Sequence, residues 1–174
     1  IKARASLATA QMQLKRYADA EQNFNKLTEL KPRDVNFWLG LGSTRFQQGN
    51  FPAAAEAWKQ VTALQPDNAV AWSGLASAFA RAGRMDDAKV TAQRAYSLDS
   101  NDVSSLLVLA TVYGKRGEYA KSLEYMEQAI VLHPGIPDNW SNKGYSLLKL
   151  GHYDDAVTAF ETAIRLKPDF TNAW

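Results

Sequence analysis

Along residues 35–68 the apolar positions fall into two amphipathic stretches. In the first, Trp38, Leu41 and Gly42 keep the three-and-four spacing of one helical face, and further along Trp72, Leu75, Ala76 and Phe79 do the same. In the second, Ala54, Trp58 and Val61 keep that rhythm, matched by Ala88, Ala92 and Ala95 and by Ala156, Phe160 and Ala163. Each stretch predicts a helix that buries one stripe against its partner. Asp34, Asn68 and Asp102 stand where a side-chain oxygen caps the first helix. Gly49, Gly83, Gly117 and Gly151 stand where a left-handed residue ends it. The second helix is expected to begin near Phe51 and end at Leu64, with Pro66 stopping it.

These columns share one ruler. Pro32, Pro66, Pro134 and Pro168 lie on a 34-residue spacing with Ser100 at the empty place, and Trp38, Trp72, Leu106, Trp140 and Trp174 lie on another. The repeats read 1–34, 35–68, 69–102, 103–136 and 137–170, with residues 171–174 opening a sixth, and the whole of 1–174 is expected to be one all-α array. The chain begins inside a helical pattern and stops at Trp174 without a polar cap, so a longer parent protein is expected. The open ends invite self-association.

Trp, Leu-Gly, Tyr or Phe, then Ala, Phe, Ala and Pro at these intervals resemble the tetratricopeptide repeat (TPR). The match spans the chain and is fullest in residues 137–170, at Trp140, Gly144, Ala156, Phe160, Ala163 and Pro168; residues 103–136 keep Ala110, Tyr113, Ala129 and Pro134. Departures are Gln11 and Arg45 at an aromatic position, Lys143 at a leucine position and Ser100 for proline. The resemblance implies an α-α superhelix, a right-handed solenoid of antiparallel hairpins whose first helices line a concave groove. Two ligand devices of the family are missing. A carboxylate clamp would need lysine and asparagine where Ala5 and Thr9, or Leu39 and Ser43, stand; an asparagine ladder would need more than Asn142 in the column of Ser6, Gly40, Gly74 and Val108.

Opposite the buried stripe the first helices carry small, neutral and hydroxyl-bearing residues, and these define the candidate peptide groove: Ser43, Ser73, Ser77, Arg81, Thr111, Lys115, Asn142, Tyr145 and Lys149. Arg81, Lys115 and Lys149 form a basic column near the helix ends. Two roles stay open for it, complementing the helix dipole or pairing with acidic groups of a bound segment. Arg45 is expected to lay its stem on the apolar stripe and send its guanidinium to solvent or a neighbouring carboxylate. The tryptophans, Trp58 included, read as core rather than as an aromatic box.

Charge changes the picture little. The formal net charge is +2, and residues 1–34 hold seven Lys/Arg against four Asp/Glu while the rest of the chain nearly balances. That lacks the basic stripe of a nucleic-acid interface, so no nucleic-acid partner is expected. The chain has no cysteine, which removes disulfides, thiolate metal sites and thiol catalysis and leaves cytoplasm and periplasm equally open. No apolar run reaches a membrane span, so a soluble segment without membrane insertion is expected. His133 and His152 fall at turns, and the pairs Asp86-Asp87 and Asp154-Asp155 open second helices, where adjacent carboxylates diverge by about 100°. No metal, cofactor or catalytic residue is expected.

The reading is a non-catalytic scaffold holding a protein or peptide segment with acidic groups, and supporting complex assembly or localisation. Two alternatives stand beside it: the substrate-recruiting arm of an enzyme such as a glycosyltransferase, and a self-assembling lattice or coat protein.

Overall fold

Each half-period of the sequence ruler becomes one helix. The computed structural model describes residues 1–168; the sixth-repeat start expected at 171–174, with Trp174, lies outside them. Among the described residues there are ten helices and the fold is all-α. The chain divides into two compact units, Ile1–Asp99 and the residues from Ser100 on. The first holds α1 (Lys2–Gln13), α2 (Tyr17–Leu30), α3 (Val35–Gln47), α4 (Phe51–Leu64), α5 (Ala69–Arg81) and α6 (Met85–Leu98). The second holds α7 (Val103–Lys115), α8 (Tyr119–Leu132), α9 (Pro137–Leu150) and α10 (Tyr153–Leu166). Within each unit every helix packs on the next, as successive hairpins.

The helix ends follow local chemistry. Asp34 accepts from the Asn36 amide at 3.2 Å, Asn68 from Ala71 at 3.0 Å and Asp102 from Ser105 at 2.7 Å, each satisfying a first-turn donor the helix leaves unpaired. α9 starts instead with Pro137, whose missing amide would be unpaired there anyway. At the hairpin turns Gly49, Gly83, Gly117 and Gly151 adopt φ between 77° and 81°. Lys15 holds the same place in the first hairpin at φ 57°, a conformation that costs a residue with a Cβ about 1 to 2 kcal/mol.

The tryptophan column does more than fill the core. The Trp38, Trp72 and Trp140 indole N–H groups donate to the carbonyls of Pro32, Pro66 and Pro134 at 2.8, 2.8 and 2.7 Å. Their rings are half-buried, which corrects the expectation of plain core residues. Burial of the ring and satisfaction of its one polar atom occur together, tying each helix to the turn before it. Ser100 and Leu106 replace both partners at one place in the chain, where the first unit ends.

Trp58 is core, as expected, at 6% exposure. Its indole lies between α3 and α5 where both helices carry glycine. A Cβ on Gly42 would lie 2.8 Å from Trp58 Nε1, and one on Gly74 would lie 2.6 Å from Trp58 Cε2. Arg45 takes the carboxylate option. Its Nε donates to Glu21 at 2.8 Å and a terminal nitrogen to Asn25 Oδ1 at 3.1 Å, so that α3 is bridged to α2. At the other aromatic-position departure, buried Gln11 accepts from Asn23 at 2.9 Å. Lys143 pairs with Glu127 at 2.8 Å. Among the described residues no helix is long and apolar enough to cross a membrane.

Candidate functional site

In the second unit α7, α8 and α9 enclose an open cavity of about 350 Å³. α7 contributes Ala110, Thr111, Gly114 and Lys115; α9 contributes Asn142, Tyr145 and Ser146. Tyr119, Ser122 and Met126 of α8 form its back. Thr111, Lys115, Asn142 and Tyr145, four of the nine residues expected in the groove, are thereby brought together.

Why the cavity exists follows from column substitutions. At the place where the second repeat carries Phe46, the fourth carries Gly114, and where the second carries Trp58 the fourth carries Met126. Losing one ring and thinning another leaves space that the surrounding helices do not close. Ser122 replaces the alanine of its column, and its hydroxyl donates to the Ala110 carbonyl at 2.8 Å. The Ser146 hydroxyl lies 3.3 Å from Ser122 Oγ and 3.1 Å from the Asn142 carbonyl. The serine wall is therefore internally satisfied.

At the mouth Tyr145, 49% exposed, meets the Tyr119 ring edge-on at 6.1 Å. Lys149 lies over the Tyr145 ring at 5.3 Å, within cation–π range. Lys115 is exposed at the end of α7. Among the described residues no carboxylate lines the cavity, and Lys115 is the charged side chain on its wall. The Thr111 hydroxyl donates to the Leu107 carbonyl at 2.8 Å and keeps its oxygen lone pairs available.

The remaining expected residues lie in the first unit. Arg81 is exposed with its guanidinium 5.0 Å from the Phe51 ring centroid. Ser43 and Ser77 are half-buried. Ser73 is 5% exposed and is packed rather than presented. α5 touches α3, α4 and α6, so more of its circumference is covered than a two-faced helix allows.

The acidic and histidine positions at the starts of α6 and α10 make local pairs. Asp87 pairs with Arg84 at 2.7 Å, and Asp155 lies 4.0 Å from His152. Among the described residues no three His, Cys, Asp or Glu side chains converge as metal ligands would. Reading only the exposed face of the first helices missed Tyr119, Ser122, Met126 and Ser146. The glycine at 114, set against Phe46 in the same column, was the available signal.

The family model described as Tetratricopeptide repeat matches residues 6–57 and 41–103. The one described as Anaphase-promoting complex, cyclosome, subunit 3 matches residues 81–163. A stretch of 59 residues is 36% identical to an uncharacterised protein of Methanocaldococcus jannaschii, covering 34% of this chain and 69% of that one. The crystal structure of MamA matches with a TM-score of 0.83 at 24% identity, over 96% of this chain and 91% of MamA. YrrB, a TPR protein with an unusual peptide-binding site, matches with a TM-score of 0.78 at 18% identity, over 98% of this chain and 88% of YrrB. At these identities the structural likeness concerns the fold.

Proposed function

The chain belongs to the tetratricopeptide repeat family and is a protein–protein interaction domain, and we propose that it works without catalysis by holding an extended peptide segment along its first helices. The observation that carries this reading is the cavity of the second unit, where Thr111, Lys115, Asn142 and Tyr145 meet and no carboxylate is among the described lining residues. An extended peptide offers backbone groups for Asn142 and Thr111 and side-chain carboxylates for the lysines. YrrB, with its peptide-binding site, supports peptide binding as a use of this fold. The match to a subunit of the anaphase-promoting complex supports a role in assembling or localising a complex. The 34-residue ruler, which continues past the departures at Ser100 and Leu106, supports residues 1–174 acting as one repeat domain. Arg81, in the first unit, is in this reading an acidic-group contact of its own.

The test is an immobilised array of acidic peptides probed with the chain and with a Lys115→Glu/Lys149→Glu variant of equal helicity. The wild type should retain peptides that the variant releases. The same peptides held by both would remove the lysines from binding and overturn the reading.

A further inference from the structure

One repeat shows what the cavity lacks. In the second repeat the Phe46 ring meets Phe51 edge-on at 5.2 Å and lies 5.7 Å from the Trp58 ring. The ruler carries those three positions to Gly114, Tyr119 and Met126, and all three line the cavity. The hairpin framework for an aromatic ring is thus present, and the ring is not.

We infer that the cavity receives an aromatic side chain of an acidic, extended segment of another protein, the guest ring taking the place that Phe46 fills within its own repeat. This inference rests on the peptide-binding reading above and specifies the residue that anchors the peptide. Tyr119 offers the guest ring the edge contact that Phe51 gives Phe46, and Tyr145 supplies a second aromatic wall. Met126, 2% exposed, sets a thioether where Trp58 stands in the second repeat, a soft contact suited to an aromatic guest.

The polar wall favours a ring as well. The Ser122 and Ser146 hydroxyls already have internal acceptors, so an apolar guest covers them without stranding a donor. The volume, about 350 Å³, lies at the lower end of the roughly 300 to 1,000 Å³ of small-ligand pockets. It suits one large side chain rather than a folded element. Lys115 beside the cavity and Lys149 on the Tyr145 ring then place cations next to the anchor, which selects aspartate or glutamate as its neighbours.

The probe is a fluorescein-labelled Gly/Ser-rich nonapeptide with a central phenylalanine flanked by aspartates, with a leucine-centred counterpart, titrated by anisotropy against the full chain. The phenylalanine peptide should bind roughly tenfold tighter than the leucine peptide. The double variant Gly114→Phe/Ser122→Ala copies Phe46 and Ala54 into the cavity. It should melt at or above the wild-type temperature and lose that preference, while keeping the residual affinity for acidic peptides. Equal affinity for both peptides, or a preference that survives in a folded double variant, overturns the aromatic anchor and leaves the acidic groove standing. Binding of neither peptide overturns both readings. A wild-type chain that self-associates through this site, with the double variant monomeric in sedimentation, would replace the foreign segment with a second copy and overturn the assignment. Lys115→Glu, which reverses the charge at the cavity edge and keeps the Tyr119, Met126 and Tyr145 walls, should weaken both peptides equally and so separate charge from shape.

Discussion

The second and fourth repeats are built on the same ruler and treat the seam between their helices in opposite ways. Around α3 and α4 the seam is filled by Phe46, Phe51 and Trp58, with Gly42 and Gly74 cleared to admit the indole. Around α7 and α8 a glycine, a tyrosine and a methionine occupy the corresponding positions, and a cavity remains. Helix periodicity demands only that the stripe be apolar and that small face large. It does not demand that every gap be filled, so one repeat spends its stripe on cohesion and the other keeps space open.

The sharpest way to break this contrast is truncation on both sides. Trp58→Ala should destabilise the protein by about 3 to 5 kcal/mol in urea unfolding, because the glycines that receive the indole leave a void the helices cannot close. Met126→Ala should lose about 2 kcal/mol, since one flank of that side chain already lacks packing partners. Equal losses would mean that the open seam is as cohesive as the filled one. Adding a methyl should separate the regions again. Gly74→Ala drives a Cβ to 2.6 Å from the Trp58 ring and should cost about 1 to 3 kcal/mol as overpacking. Gly114→Ala meets Ser122, at 3.2 Å from Oγ and 3.8 Å from Cβ, and gains about 1 kcal/mol of helix propensity that offsets this contact. Thermal melts of the two alanine variants check the pair, and a Gly114→Ala loss as large as that of Gly74→Ala would show the fourth-repeat seam to be closed.

Much of the fold was legible because its parts are local and recur. Caps at Asp34, Asn68 and Asp102 and left-handed turns at the glycines need only a neighbouring turn of chain, and the ruler repeats them. What the helical wheel could not assign was which flank of a first helix meets the preceding hairpin. Gly40 and Gly74, in the column an asparagine ladder would occupy, pack against the preceding hairpin: a Cβ at Gly40 would lie 2.4 Å from the Phe24 ring, and one at Gly74 2.6 Å from the Trp58 ring. Ser73, expected in the groove, is buried. The indole bonds to proline carbonyls were hidden for a different reason, since periodicity shows where a ring sits and not where its one N–H points. The cavity was half legible. Its first-helix residues stood in the hydroxyl-rich column, but its back wall comes from α8, whose residues had been read only as packing.

The column of Arg45 and Tyr113 extends the comparison to a polar solution. Tyr113 stacks on Tyr125 at 5.6 Å with rings nearly parallel, while Arg45 reaches Glu21 and Asn25 with side-chain exposures of 20% and 25% across the ion pair. Arg45→Ala should cost about 1 to 3 kcal/mol, because it strips a half-buried carboxylate of its partner. In a double-mutant cycle Glu21→Gln should recover part of that loss, and additive losses would show the two side chains to be uncoupled. A smaller effect is expected from Trp72→Phe, which keeps the ring and removes the bond to Pro66. About 0.5 to 1.5 kcal/mol should be lost. Leu106, which never had the bond, marks the position where the same change in partner is already built in.

The smallest effect concerns the first hairpin, where Lys15 holds the left-handed turn that glycine holds in the other four. The turn is otherwise the same: the Arg16 amide donates to the Gln11 carbonyl at 2.8 Å, as Asn50 does to Arg45 at 2.9 Å. Only the Cβ distinguishes them, and its strain of about 1 to 2 kcal/mol is partly balanced by the extra freedom glycine brings to the unfolded chain. Lys15→Gly should therefore stabilise the protein by a little under about 1 kcal/mol, seen as a small rise in melting temperature. Lys15→Ala should give no such gain, because alanine keeps the Cβ. If alanine stabilises as much as glycine, the benefit comes from removing a positive charge in a repeat that already holds seven Lys/Arg against four Asp/Glu, and the turn geometry is not what separates the first hairpin from the rest.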